Sequence, residues 1–160
     1  MNGELAKSAR SVQDALSSKG LHCKVVELPD STRTAEEAAS TIGCTVPQIV
    51  KSLIFRTKNT NRPVLVLASG SNRVNEKIIE SHIGEKITRA EPDFAREITG
   101  FAIGGIPPVG HKQHIELIFI DEELLKYDEV WGAAGTPNAV FNLKGQDLCK
   151  MTDGIVLAIK

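Results

Sequence analysis

The chain has 160 residues, 41% of them hydrophobic and 24% charged, and its formal net charge is −1. Such a make-up is that of one globular domain, expected to span residues 1–160 and long enough to bury a core of its own. It excludes a membrane-spanning chain, since no apolar run approaches the ~20 residues required, and a protein that binds nucleic acid through bulk positive charge.

Met1–Lys7 lacks the apolar core of a secretory signal. Residues 4–19 read as an amphipathic helix with Leu5, Ala9, Val12 and Leu16 along one side, stopped by Gly20. Cys23–Leu28 reads as a strand ended by Pro29-Asp30. Thr34-Ala35-Glu36-Glu37 has capping-box spacing and opens a short helix that Gly43 closes. Thr45 and Pro47 open a helical turn through Gln48, Ile49 and Val50. From Lys51 the pattern becomes extended, and Ser52–Arg56 and Val64–Ala68 are expected to pair as a hairpin. Helices follow at residues 75–82 and from Glu91 to about Ile98. After a glycine–proline loop come a strand at Leu117–Ile120 and a helical turn at Glu122–Lys126. Strands at Glu129–Ala133 and Ala139–Leu143, a short helix at Gln146–Lys150 and a strand at Ile155–Ile159 end the chain. Short elements without a regular βαβ rhythm predict an α+β fold, a single curved, mostly antiparallel mixed sheet surrounded by short helices.

Backbone restriction is densest in Gly104-Gly105-Ile106-Pro107-Pro108-Val109-Gly110-His111. Glycines permit close approach to a ligand or a positive φ, and prolines stiffen the loop and remove donors. A rigid loop with free N–H groups suits a carbonyl, carboxylate or phosphate oxygen; the competing reading is a tight turn between two core strands. Lys51, between Ile49-Val50 and Leu53-Ile54-Phe55, either snorkels to water or meets an anion or carbonyl in a pocket. His111 and His114 lack a third ligand at metal-site spacing, so His111 reads as a hydrogen-bonding residue that fixes the loop. Cys23, Cys44 and Cys149 are widely spaced without a CxxC pair, which fits small core residues in a reducing cytoplasm. Ala133-Ala134-Gly135-Thr136-Pro137-Asn138 forms either a second wall of the pocket or a plain hairpin loop. No nucleophile elbow, P-loop or dinucleotide fingerprint is present.

Three segments in order, Thr34–Ala39 running to Gln48–Phe55, then Gly104–His111, then Ala133–Asn138, resemble the YbaK/EbsC family. Its members are free-standing relatives of the editing domain inserted in bacterial prolyl-tRNA synthetases. The resemblance covers roughly residues 5–159. It implies an aminoacyl-tRNA deacylase that acts in trans on mischarged tRNA, needs no metal or organic cofactor, and works in the cytoplasm. The family's functional lysine falls on Lys51 and its substrate loop on Gly104–Pro108, with His111 close behind. The implied catalytic set is Lys51, Gly104 and Gly105. The implied substrate-binding set is Ile106, Pro107, Pro108, Gly110, His111, Ala133, Ala134 and Gly135. Ester hydrolysis develops charge on the carbonyl oxygen, and the N–H groups of Gly104, Gly105 and Ile106 are available to meet it, whereas Pro107 and Pro108 have none. Water or the substrate's own ribose hydroxyl would attack.

Within the family, the cysteine-clearing branch often carries Gly-Gly-Ile-Ser-Pro followed by Gly-Gln, where this chain has Pro107 and His111. That points toward alanine, serine or threonine, with cysteine kept as an alternative. The implied partner is an aminoacyl-tRNA 3′ end, tRNA-Pro first, with prolyl-tRNA synthetase as a further partner; no membrane is involved and a monomer is expected. Residues 51–112 hold ten Lys/Arg against six Asp/Glu, and Arg56, Lys58, Arg62, Arg73 and Lys77 are candidates for an anion-facing patch. Competing readings are a non-catalytic module docking on tRNA or a synthetase, and a small-molecule hydrolase indifferent to tRNA.

Overall fold

Strand β3 (Pro63–Ser69) lies at the centre of the molecule, and Val64–Ala68 are wholly buried. An uninterrupted apolar run suits a strand covered on both faces. It pairs antiparallel with β2 (Ile49–Thr57), the expected hairpin, and parallel with β5 (Leu117–Asp121). With β1 (Val25–Glu27), β6 (Val130–Ala133), β7 (Ala139–Leu143) and β8 (Ile155–Leu157) the sheet runs β1-β7-β6-β2-β3-β5-β8, and β4 (Ile87–Arg89) also pairs with β2. The computed structural model describes residues 5–160; the predicted helix start at Glu4 and the Met1–Glu4 part of the leader reading lie outside them. The result is the mostly antiparallel mixed sheet expected from the sequence, with parallel contacts at β2·β6, β3·β5 and β5·β8.

Alternation along β2 divides the core. Val50 and Ile54, with Leu65 and Leu67, face a cluster built by α1 (Lys7–Ser18), α4 (Pro92–Thr99) and α5 (Asp147–Thr152). Leu53 and Phe55, with Val64, Val66 and Ala68, face Ile79 of α3 (Glu76–Ile83). Ala35, Ala38 and Ala39 of α2 (Ala35–Ile42) pack on Ile49. Helix α2 starts where Thr34 accepts the Glu37 N–H at 3.1 Å and ends at left-handed Gly43. Its capping box is only half made, because the Glu37 carboxylate takes the Ser31 hydroxyl at 2.9 Å instead.

Several boundaries differ from expectation. Ile49 and Val50 belong to β2 and not to a helical turn, which is confined to Val46–Gln48 as a 3-10 helix, because parallel pairing with Trp131 and Gly132 draws them into the sheet. Lys51 therefore lies inside a strand. β4 carries no legible pattern in its three residues and forms only because β2 offers it an edge. The glycine–proline loop is no tight turn between strands: it follows α4, and residues 100–116 run irregularly to β5.

One consequence of the topology positions the site. On the edge opposite β3, β2 pairs with β6 at Ile49–Val50 and with β4 at Phe55–Thr57. Between them, Lys51–Leu53 have no partner on that edge among the described residues, and Ile54 O takes the N–H of Ala90, just beyond β4, at 3.0 Å. A gap is left in the middle of the sheet.

Candidate functional site

A cleft of about 530 Å³ opens at this gap. Its walls are the unpaired stretch of β2, Thr32–Glu36 at the start of α2, the Ile103–Gly104 tip and Ile106 of the glycine–proline loop, and Gly132–Ala133 of β6. Lys51, Gly104, Ile106 and Ala133, distant in sequence, thus share one cavity.

The loop is rigid because it is buried. Phe101, Ile106 and Val109 are 7%, 5% and 4% exposed and belong to the main core. Each buried side chain contributes roughly 1.5–3 kcal/mol. Gly105 donates to Ala102 O at 3.0 Å, and its own carbonyl accepts the Gly135 N–H at 2.8 Å. The Ala133–Asn138 segment therefore braces the loop from behind. It also holds the chain leading to α2, since Pro137 O accepts the Thr32 N–H at 2.7 Å and Asn138 Nδ2 donates to Leu28 O at 2.7 Å. His111 Nε2 lies 2.7 Å from Pro107 O. Burial, only partly opposed by that bond, holds the imidazole below its ordinary value, so the neutral ring donates to the carbonyl.

These bonds sort the loop's donors. The Gly105 N–H is spent on Ala102, which corrects its placing beside Gly104 as a free donor. Among the described residues the N–H groups of Gly104 and Ile106 meet no acceptor. Gly104 needs its φ of +96° to turn here, and it lies against Arg33. Gly105, Pro107, Pro108, Gly110, His111, Ala134 and Gly135 are not part of the cleft wall; they form the scaffold behind it. Pro108 packs near Gly132, where an added Cβ would meet Pro108 Cδ at 3.7 Å.

Lys51 Nζ donates to Asn72 O at 2.6 Å. Burial lowers its proton affinity, Arg89 and Arg73 add to that, and Glu36 and Asp121 oppose it. The cleft also holds two buried polar atoms, Ser52 Oγ and Trp131 Nε1, with no hydrogen-bond partner among the described residues. Such orphans are uncommon in folded proteins.

The structure redraws the basic patch. Of its five candidates only Arg73 lines the cleft, joined by Arg33 and Arg89, which no sequence pattern singles out. Arg62 is engaged by Glu85 at 3.2 Å. Burial resists ionisation of Glu85, but hydrogen bonds from Thr60, Arg62 and Asn59 outweigh it and hold the carboxyl at about 2. Arg56 lies over the Phe94 ring at 5.7 Å. Burial pushes the Cys23 and Cys44 thiols up, with Asp147 and Glu129 adding to the rise, which leaves them poor nucleophiles at neutral pH. Among the described residues no three His, Cys, Asp or Glu side chains cluster as a metal site.

The model of the aminoacyl-tRNA editing domain family matches residues 29–151. The crystal structure of a candidate trans-editing enzyme for prolyl tRNA synthetase superposes with a TM-score of 0.91 at 47% identity, covering 98% of this chain and 99% of that one. The uncharacterised protein YwhH of Bacillus subtilis (strain 168) is 30% identical over 145 residues, 91% of each chain. The proline–tRNA ligase of Limosilactobacillus fermentum (strain NBRC 3956 / LMG 18251) is 32% identical over 89 residues, 53% of this chain but 16% of the ligase.

Proposed function

The chain belongs to the aminoacyl-tRNA editing domain family, and from that premise we propose that it hydrolyses, in trans, the ester of tRNA-Pro carrying a small non-cognate residue. The observation that carries this reading is the meeting in one cleft of Lys51 with Gly104 and Ile106, two residues whose N–H groups meet no acceptor among the described residues. At about 530 Å³ the cleft suits an aminoacylated terminal nucleoside. Attack on the ester carbonyl by water, or by the neighbouring ribose hydroxyl, places negative charge on the carbonyl oxygen. Two preorganised N–H groups in a partly dry site stabilise that charge, each worth about 100- to 1,000-fold in rate. Lys51, with one hydrogen bond to Asn72 O, keeps further N–H donors for the substrate. The remaining acceleration comes from holding the attacking oxygen and the carbonyl together.

The four cations Arg33, Lys51, Arg73 and Arg89 outnumber Glu36 and Glu76 around the cleft. This balance suits the phosphodiester that precedes a terminal adenosine. Arg73→Ala is expected to raise KM for charged tRNA several-fold, with kcat little changed. The slope of log KM against log salt should shrink by about 0.7, the value for one single-strand phosphate contact. An unchanged slope would remove Arg73 from phosphate binding.

The direct test is release of amino acid from tRNA-Pro charged separately with alanine, serine, threonine, cysteine and proline. Rapid release of one or two of the non-cognate residues, with prolyl-tRNA spared, is the expected result. Release from none, with the domain folded, would overturn the deacylase reading in favour of a docking module or another tRNA.

A further inference from the structure

The cleft is built on a buried carboxylate that takes no part in the chemistry described so far. Asp121, the last residue of β5, is 1% exposed, yet among the described residues no Lys or Arg approaches it within ion-pair distance. Its charge is met by N–H donors instead. Oδ2 accepts the Ser69 N–H at 3.0 Å and the Asn72 side-chain amide at 2.8 Å, and Oδ1 accepts the Glu123 N–H at 3.0 Å. Burying an anion costs free energy even when it is fully hydrogen-bonded. A neutral acceptor would suffice to cap the short helix that begins at Glu122. The Asn72 bond points elsewhere: this residue, 6% exposed, is the one whose main-chain carbonyl takes the Lys51 ammonium at 2.6 Å.

We propose that Asp121 and Asn72 are positioning residues for Lys51: the buried carboxylate tethers the Asn72 turn, and the turn's carbonyl sets the ammonium in the cleft. Asp121 does not touch the substrate. It acts through Asn72 on geometry, and through its charge on the proton held by Lys51. The role in hydrolysis rests on the deacylase reading; the coupling to Lys51 does not.

The charge effect separates this role from a structural one. Burial, Arg89 of β4 and Arg73 of the β3–α3 connection favour loss of the Lys51 proton. Glu36 of α2 and Asp121 of β5 favour its retention; Glu76 of α3 also borders the cleft. Asp121→Asn removes the charge and can keep the Ser69 and Asn72 bonds on its one oxygen while giving up the Glu123 N–H, so the ammonium should lose its proton at a lower pH. Activity that needs the ammonium then falls earlier as pH rises.

The experiment follows the Lys51 side chain by NMR titration in wild type, Asp121→Asn and Asn72→Ala. In parallel it records the pH dependence of single-turnover deacylation. The expected result is a Lys51 midpoint moved to lower pH in Asp121→Asn, with the alkaline limb of the rate profile moving with it. Asn72→Ala keeps the carbonyl but frees the turn; it should lower kcat about tenfold, with KM within about twofold. An unmoved Lys51 midpoint in folded Asp121→Asn would overturn the proposal. Should that variant not fold, an Asn72→Ala enzyme of wild-type rate would overturn it equally. A shifted midpoint in a protein that hydrolyses no charged tRNA would uphold the coupling of Asp121 to Lys51 and defeat the deacylase reading alone.

Discussion

Lys51→Ala is expected to reduce ester hydrolysis by about 100-fold or more while the protein stays folded. Lys51 sits on a strand held against β3 by its backbone, with Ala68 as its cross-strand neighbour, so truncating the side chain removes no ladder bond. What is lost is a positive charge at the centre of a cleft, worth far more there than at the surface. Stability should move the other way, if at all. Burial holds the folded-state proton affinity of Lys51 below the ordinary 10.5, and Arg89 and Arg73 lower it further. A lysine shifted in that direction binds its proton more weakly folded than unfolded. At neutral pH its charge therefore disfavours the fold slightly, and the penalty disappears only as pH rises toward the unfolded value. Thermal unfolding of Lys51→Ala at pH 7 should match or exceed wild type, and single-turnover assays should show the rate loss. Wild-type hydrolysis by the variant would remove Lys51 from the chemistry. Lys51→Arg sharpens the test: a planar guanidinium cannot reproduce a compact ammonium seated on one carbonyl, so charge alone should restore little.

Lys51 and the glycine–proline loop are legible in the amino-acid sequence because each breaks its local pattern. A lysine amid apolar strand residues and two prolines behind paired glycines both demand an explanation. Thr34 and Gly43 bound α2 through cap chemistry that is local to the chain. Features that depend on distant partners are not legible in this way. Whether the Gly105 N–H is free depends on Ala102 O, and the backing of the loop depends on Gly135. Asp121 falls between a predicted strand and a predicted helical turn with no pattern that marks it, and only the fold brings Ser69 and Asn72 to it. Arg33 and Arg89 come from segments far apart in the chain, so a count of charges along the sequence cannot join them. The gap between β4 and β6 that makes the cleft exists because two strands take separate stretches of one edge of β2.

Gly135→Ala is expected to cost substantial stability, and it tests whether the loop's placement matters for the chemistry. Gly135 has φ of +91°, a conformation that costs a residue with a Cβ about 1–2 kcal/mol. The added Cβ would lie 2.9 Å from Phe101 Cε1 and 2.9 Å from the main-chain oxygen of Ser8 in α1. Neither neighbour yields freely, since Phe101 is buried and the Ser8 oxygen is fixed by the helix. Strain and overpacking together should destabilise by about 2–4 kcal/mol, lowering the melting temperature by roughly 5–15 °C. Relief requires the Gly135 turn to back away, and its N–H then leaves Gly105 O, to which it now donates at 2.8 Å. Gly105 lies between the two unspent donors, so its release should misplace both Gly104 and Ile106. Displacement of about 1 Å costs on the order of 100-fold in rate. Hydrolysis should accordingly fall by about that factor at temperatures where the variant is still folded. A variant that melts earlier yet hydrolyses at the wild-type rate when cold would show that the ester carbonyl does not depend on these two N–H groups. The oxyanion would then have to be stabilised from the Lys51 side of the cleft.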